Sequence, residues 1–290
     1  MSALPITPSS ASSSASPGAS SLLATRALTL CAGSRTLVEH LTLDIGAGEI
    51  WCLAGANGAG KTTLISALAG LRDAASGHVE VDGVTLRDWP PVRLAQRRAL
   101  MPQDVRDAFS ASVLDTVLLN RYPHLAGWGW ESEDDRAAAY AALATLGLEA
   151  FAGRDVLSLS GGERQRVALA AVLCQDAPLL LLDEPLAHLD LHHQIACLDA
   201  LAQWVRAGTP AESTADPRAV VLSCHDLNLA RRFATHALLL DGRGGYYAGP
   251  VRDVLTAERA SDAFGHALVL IRDGPHEALV PALGSTHAPG

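Results

Sequence analysis

Gly55-Ala56-Asn57-Gly58-Ala59-Gly60-Lys61-Thr62-Thr63 fits the pattern G-x-x-x-x-G-K-S/T, whose glycines let backbone N–H groups converge on a phosphate with no Cβ in the way. What flanks this stretch decides the fold. Ile50-Trp51-Cys52-Leu53-Ala54 ahead of it is a short apolar run without alternation, the mark of a strand buried on both faces. Behind it a helical pattern runs from Thr62 to Ala69 and stops at Gly70. Strand, loop and helix in that order turn the helix N-terminus, with its free N–H groups and positive dipole end, toward an anion. The chain holds 21 arginines and one lysine, Lys61. A sequence that uses Arg everywhere else keeps Lys at the one position where the loop needs a compact point charge. Lys61 is expected to reach β- and γ-phosphates and Thr62 to bind Mg2+, with Gly55, Asn57, Gly58, Ala59, Gly60 and Thr63 forming the rest of the cradle.

Working outward, Leu179-Leu180-Leu181-Leu182 and Ala219-Val220-Val221-Leu222 repeat the buried-strand signature, with helical patterns at about 163–174 and 191–206. Strands alternating with helices predict a parallel sheet covered by helices. The segments 22–31 and 36–45 alternate and predict antiparallel strands joined at Gly33-Ser34. Residues 104 to about 158 are Ala-rich and helical, with an aromatic patch at Gly127-Trp128-Gly129-Trp130, and are expected to form a lobe inserted in the α/β core. Residues 207–218 read as a polar surface loop. Residues 1–21 are rich in Ser, Ala and Pro and read as a disordered tail rather than a signal peptide, since no positive n-region precedes an apolar stretch.

Composition narrows the function. The formal charge of −9 argues against nucleic-acid binding, which calls for a basic face. No apolar stretch reaches the ~18 residues of a spanning helix, so any work at a membrane needs a partner that spans it. Cys31, Cys52, Cys174, Cys197 and Cys224 are odd in number and form no C-x-x-C pair. They read as reduced thiols without a chemical role.

Two more segments carry chemistry. Asp183-Glu184-Pro185 follows the leucine run, so the strand delivers both carboxylates to its C-terminal edge, where α/β sheets bind ligands. Asp183 is expected to act on Mg2+ and Glu184 to polarise an attacking water. Adjacent residues on a strand point to opposite sides, so the two roles can differ. Leu159-Ser160-Gly161-Gly162-Glu163-Arg164-Gln165-Arg166 opens a helix with a capping box, Ser160 to Glu163. Its two glycines leave the helix start open to an anion, a second phosphate site distinct from the first. One chain cannot easily bring both to the same phosphate. Two copies placed head to tail can.

These segments, in this order, resemble the ABC ATPases over about 22–270. L-S-G-G-E-R-Q-R is similar to the family's signature, Gln103 in Met101-Pro102-Gln103 to its Q-loop, Leu189-Asp190 to its D-loop, and His225 in Ser223-Cys224-His225-Asp226-Leu227 to its switch histidine. The resemblance implies a P-loop core of parallel sheet and helices, an antiparallel β-subdomain, an inserted α-helical subdomain at about 104–158, and a C-terminal extension over 271–290. It implies ATP and Mg2+ as ligands, Gln103 as a sensor of Mg2+, His225 as holder of the γ-phosphate, and Ser160, Gly161 and Gly162 as contacts to the γ-phosphate in a second copy. Asp190 would lie at the dimer seam. One position departs: Ala32 stands where the family carries an aromatic that stacks on adenine, so base discrimination is expected to be weak and GTP to substitute.

Arg121-Tyr122-Pro123-His124, Leu189 to Ile195, and Val254-Leu255-Thr256 followed by Phe264-Gly265 resemble the importer ATPases for ferric siderophores, haem and cobalamin. That group implies transmembrane permease subunits contacted around Gln103 to Trp130, a substrate-binding protein engaged indirectly, and a peripheral position on the cytoplasmic face of the inner membrane. The alternatives are an exporter ATPase, or a soluble ABC ATPase of DNA repair or translation. The last two fit less well, because the lobe is too short for long coiled coils and there is a single, acidic cassette. A metal site at His188, His192 and His193 is also disfavoured by imperfect spacing.

Overall fold

The computed structural model describes residues 21–104, 109–125, 131–208, 216–274 and 276–283. Strands β1 (Leu23–Ala32) and β2 (Arg35–Ile45) pair antiparallel across Gly33-Ser34, with Ala32 opposite Arg35. Gly33 takes a φ of 60°, the left-handed conformation such a tight turn requires. Strand β3 (Ile50–Gly55), buried throughout, leads into the glycine loop and helix α1 (Lys61–Leu68). Strands β4 (Ser76–Val81) and β5 (Val84–Thr85) complete an antiparallel sheet of order β2-β1-β4-β5. Helix α2 (Pro91–Arg97) then passes the chain to strand β6 (Arg98–Met101).

From Val113 to Ser158 the regular elements are helical: α3 (Val113–Leu118), α4 (Glu133–Thr145) and three 3-10 turns at Leu119–His124, Glu149–Phe151 and Val156–Ser158. Helix α5 (Gly161–Cys174) packs against both α3 and α4, so the helical lobe reaches past 158 and takes in α5. Strand β7 (Leu179–Leu182), helix α6 (Leu191–Ala207), strand β8 (Ala219–Ser223), helix α7 (Leu227–Phe233), strand β9 (His236–Leu240) and strand β10 (Tyr246–Pro250) return the chain to the main sheet. Helices α8 (Val251–Val254) and α9 (Ala257–Phe264) and a hairpin, β11 (Leu268–Asp273) with β12 (His276–Pro281), finish the described chain.

The main sheet has the order β10-β9-β3-β8-β7-β6, with every pairing parallel except β10 with β9. Its strands read as unbroken apolar runs because each face meets a different core. Cys52, Ala54, Leu180, Leu182, Val220 and Leu222 face the helical side. Trp51, Leu53, Leu179, Leu181 and Val221 face the side of α1 and the antiparallel sheet. The alternation is the pleat of period two, filled with apolar residues on both sides.

Two side chains fasten the 119–124 turn to α4 and to the end of α5. Arg121 Nε donates to Asp135 Oδ1 at 2.8 Å, and its Nη1 to Cys174 O at 3.1 Å. His124 Nε2 donates to Gln175 O at 2.7 Å. Both reach carbonyls at the C-terminal end of α5, which attracts donors and positive charge. The Arg121-Tyr122-Pro123-His124 segment is therefore a clamp on that helix end.

The C-terminal boundary read from the sequence meets the structure differently, and other expectations fall outside the described residues. The division between 270 and 271 cuts β11, and the hairpin is fastened to α7: Arg231 Nη2 donates to Glu277 Oε2 at 2.6 Å, and Asn228 Nδ2 to Leu279 O at 3.2 Å. The stretch from Val254 to Gly265 holds the end of one helix and the whole of the next, because the Thr256 side chain caps α9 afresh. Gly127 to Trp130, most of the 207–218 loop and nearly all of the 1–21 tail lie outside the described residues. Among the described residues no helix is long and apolar enough to cross a membrane.

Two outcomes are expected of folding measurements. Leu181, fully buried in β7, and Leu119, 74% exposed, separate in urea unfolding: Leu181→Ala costs about 2–5 kcal/mol and Leu119→Ala stays within about 0.5 kcal/mol. Hydrogen bonds from the Ser132 hydroxyl and backbone N–H, then the Arg121 guanidinium, hold the Asp135 carboxyl down at about 2. A group whose folded value lies below its unfolded one stabilises above the unfolded value and loses that stabilisation as pH falls. The urea midpoint therefore drops between about pH 4 and pH 2, and Asp135→Asn flattens that part of the profile.

Candidate functional site

Four loops meet at the C-terminal edge of the parallel strands. The glycine loop follows β3, Gln103 follows β6, Asp183-Glu184 follows β7, and His225 follows β8. They border a cavity of about 660 Å3 that Ala32, Arg35 and Leu37 of the first hairpin also line.

In the loop the glycines are needed for close approach. A Cβ on Gly55 (φ 147°) would stand 2.8 Å from Leu240 O, and one on Gly60 (φ 109°) 3.0 Å from the Leu37 Cβ. No side chain caps α1, so its first-turn N–H groups are left to the loop and to whatever lies before it. Lys61 is 6% exposed, and its Nζ donates to Gly55 O at 2.8 Å and Ala56 O at 3.2 Å. Burial pushes the Lys61 pKa down, against the Glu184 and Asp183 carboxylates, which pull it up. Thr62 Oγ1 donates to Gln103 Oε1 at 3.3 Å, which joins the two residues read as sensing the same cation.

The two carboxylates part for a reason other than strand alternation. Strand β7 ends at Leu182, and Glu184 takes a φ of 51°, so the backbone turns between them. Asp183 is 2% exposed; its Oδ1 accepts from Ser223 Oγ at 2.7 Å, and the same hydroxyl accepts the Glu184 N–H at 2.7 Å. The Glu184 carboxylate emerges into the cavity, where His225 Nε2 donates to its Oε1 at 2.8 Å. Gln165 Nε2, from α5, donates to Glu184 O at 2.9 Å. A fixed carboxylate beside an imidazole, facing a phosphate loop, is an arrangement that can orient water and accept its proton.

Ser160, Gly161, Gly162 and Asp190 do not line this cavity. Ser160 and Glu163 close the capping box at α5: the Ser160 N–H donates to Glu163 Oε2 at 2.8 Å and the Glu163 N–H to Ser160 Oγ at 3.3 Å. Hydrogen bonds from the Ser160 N–H and hydroxyl hold the Glu163 carboxyl below the usual range. Gly162 has a structural reason of its own, since a Cβ there would stand 3.0 Å from His188 O. The openness inferred from two glycines thus rests on Gly161, whose Cβ would meet nothing closer than 3.8 Å. Asp190 caps α6, accepting the His193 N–H and Nδ1–H at 2.8 Å each, and those two bonds pull its carboxyl down. His188, His192 and His193 form no metal cluster; among the described residues no group of three His, Cys, Asp or Glu could hold an ion.

Sequence reasoning missed Ser223, Gln165 and Arg35. Ser223 was signalled only by a hydroxyl ending an apolar run. Nothing in the sequence pairs Gln165 with Glu184 O or Arg35 with the Gly242 carbonyl, which accepts from Arg35 Nη2 at 2.6 Å.

The family model described as ABC transporter matches residues 38–187. The hemin import ATP-binding protein of Nocardia farcinica is 40% identical over 238 residues, covering 82% of this chain and 79% of that protein. The petrobactin import ATP-binding protein of Bacillus anthracis is 35% identical over 242 residues, covering 83% and 86%. Among solved structures, a metal-chelate type ABC transporter in an inward-facing conformation superposes with a TM-score of 0.77 at 27% identity, covering 91% of this chain and 99% of that one.

Ser223→Ala removes one hydroxyl that serves two strands, leaving the buried Asp183 carboxylate and the Glu184 N–H without it. The expected cost is about 1–3 kcal/mol, read as a shift of the urea midpoint with an unchanged slope.

Proposed function

The chain belongs to the ABC transporter family, and within it we propose that it is the ATP-hydrolysing subunit of an importer for a metal chelate such as haem, a ferric siderophore or cobalamin. The observation that carries this reading is the single cavity that gathers the Lys61 loop, Gln103, Glu184 and His225. The chelate class rests on the hemin and petrobactin importers among the relatives and on the metal-chelate transporter among the structures.

The donors suit magnesium. Thr62 Oγ1, Gln103 Oε1 and the Asp183 carboxylate are all oxygens, the ligand type a hard divalent cation takes. Bound there with ATP, Mg2+ would neutralise charge on the β- and γ-phosphate oxygens. The chain's own groups do the rest. The loop N–H groups of residues 57–63 and the start of α1 hold the phosphates. Lys61 exchanges the Gly55 and Ala56 carbonyls for phosphate oxygens. His225 leaves Glu184 for the γ-phosphate, and the freed carboxylate orients the attacking water and takes its proton.

Ser160, Gly161 and Gly162 complete the site from a second copy placed head to tail, with Asp190 at the seam. Their position outside the cavity of their own chain supports this. Closure of the pair moves the helical lobe, and the lobe pushes on transmembrane permease subunits that receive cargo from a substrate-binding protein. The chain works peripherally on the cytoplasmic face of the inner membrane and takes no part in nucleic-acid binding. Residues 22–270, with a lobe from about 104, form the ATPase domain, joined by the hairpin that continues to Pro281.

Glu184→Gln keeps ATP binding, lowers phosphate release by about 100-fold or more, and traps a dimer visible by light scattering; a fully active monomer would refute the shared site. As the only lysine, Lys61 is, with the N-terminus, the sole target of an amine-reactive reagent. Mass spectrometry is expected to show its labelling suppressed by saturating MgATP. Unchanged labelling would remove Lys61 from the phosphate contact.

A further inference from the structure

We infer that Arg35 grips the base of the nucleotide, laying its guanidinium plane on the ring beside Leu37, and that the site therefore accepts guanine as well as adenine. The inference rests on the nucleotide-binding reading above and adds what holds the other end of the ligand. With the phosphates on the glycine loop and the carboxylate and imidazole beside them, the part of the cavity lining left for the base is Ala32, Arg35 and Leu37 of the first hairpin. These three share one face of the first hairpin. Ala32 pairs directly with Arg35 across the turn, so their side chains are cross-strand neighbours. Leu37 follows two residues along β2, on the same side of the pleat.

Each of the three is fixed in a way that suits a platform. Leu37 is buried and presses on the phosphate loop, where its Cβ lies 3.0 Å from the position a Cβ would take on Gly60. Ala32 is small and exposed and leaves the space above the pair open. Arg35 is exposed, and one of its donors is spent on the Gly242 carbonyl at 2.6 Å. That bond ties the hairpin end to the loop after β9, and the glycine opposite adds no side chain to cover the guanidinium.

Among the described residues no Phe, Tyr or Trp lines the cavity. His225, the aromatic ring in the lining, is held on Glu184 beside the phosphate loop, so the guanidinium is the planar group left for a base, and such planes stack on nucleobases. Stacking reads the π-face, which every base has, rather than the edge that tells adenine from guanine. A planar cation over an apolar Leu37 thus gives affinity with little choice between purines.

The test is titration calorimetry of the full chain with ATP, GTP and inorganic tripolyphosphate, each with Mg2+, for the unaltered protein and for Arg35→Ala, Arg35→Lys and Arg35→Ala combined with Ala32→Tyr. The unaltered protein is expected to bind GTP within about tenfold of ATP. Arg35→Ala is expected to weaken ATP and GTP alike by about 5- to 150-fold, the range that stacking on one base spans. It should leave tripolyphosphate within twofold, which also reports an intact fold. Arg35→Lys keeps the charge and loses the plane, so it behaves as Arg35→Ala. The double variant regains ATP affinity through the aromatic placed opposite. An equal loss for tripolyphosphate would make Arg35 a phosphate ligand and overturn the inference, as would unchanged ATP binding in Arg35→Ala, full affinity in Arg35→Lys, no recovery in the double variant, or GTP binding more than about 100-fold weaker than ATP. Failure of the unaltered chain to bind both ATP and tripolyphosphate would instead defeat the nucleotide-site reading itself.

Discussion

A buried ammonium is the constraint from which the rest of the site follows. Lys61 is 94% hidden, being 6% exposed, and a lone charge there would lose far more hydration than folding can spare. Two carbonyls and two nearby carboxylates offset that loss. For Gly55 and Ala56 to turn their carbonyls toward Nζ, the loop must curl back over the start of α1, and its glycine conformations make that curl possible. For Asp183 and Glu184 to supply negative charge, β7 must end beside β3, separated only by β8. The order of the parallel strands and the burial of one lysine are thus parts of one electrostatic solution. It is also a reversible one, because phosphate oxygens can replace the carbonyls without leaving the ammonium bare.

The second consequence is mechanical. Ser223 joins the ends of β7 and β8 by donating to Asp183 and accepting from the Glu184 N–H. His225, two residues on, closes the ring by donating to the Glu184 carboxylate. Any change at His225 is therefore felt at Glu184 and Asp183 together. Gln165 extends the ring to α5, since its amide holds the Glu184 carbonyl. Helix α5 is held at its other end by Arg121 and His124 on the carbonyls of Cys174 and Gln175. One rigid helix thus runs from the carboxylate turn to the helical lobe, a connection made of packed structure rather than of a flexible hinge.

Much of this was legible in the sequence because the chemistry there is local. The glycine loop, the leucine run with its carboxylates and the Ser160 capping box each declare themselves within about ten residues, and all three stand where expected. The strands could be read because a sheet covered on both faces demands unbroken apolar runs. What escaped is contact between distant segments. The reason for Gly162 lies 26 residues away at His188. The role of Ser223 depends on a partner 40 residues upstream. The C-terminal hairpin, cut at 270 by composition, is held by Arg231 and Asn228 of α7, which no periodicity reveals. The helical lobe, bounded at about 158 from the sequence, takes in α5, which packs against α3 and α4 and also meets β6 of the core.

The start of α5 also bears on why the proposed site takes two chains. An α-helix leaves its first N–H groups without intrahelical partners. Here the capping box answers for two, the Ser160 N–H on Glu163 and the Glu163 N–H on Ser160. The groups between them are the N–H of Gly161 and Gly162. Gly162 cannot gain a side chain without striking His188 O, and Gly161 has none to hide its amide. The Glu163 carboxylate is folded back on the Ser160 N–H. Two backbone donors at a positive helix end suit an anion, and they do not line the cavity of their own chain. The same His188 contact binds this helix start to the turn before Asp190, so the two form one continuous surface. In the shared site proposed above, the phosphate that reaches those amides is the one held on the identical loop of a second copy of this chain.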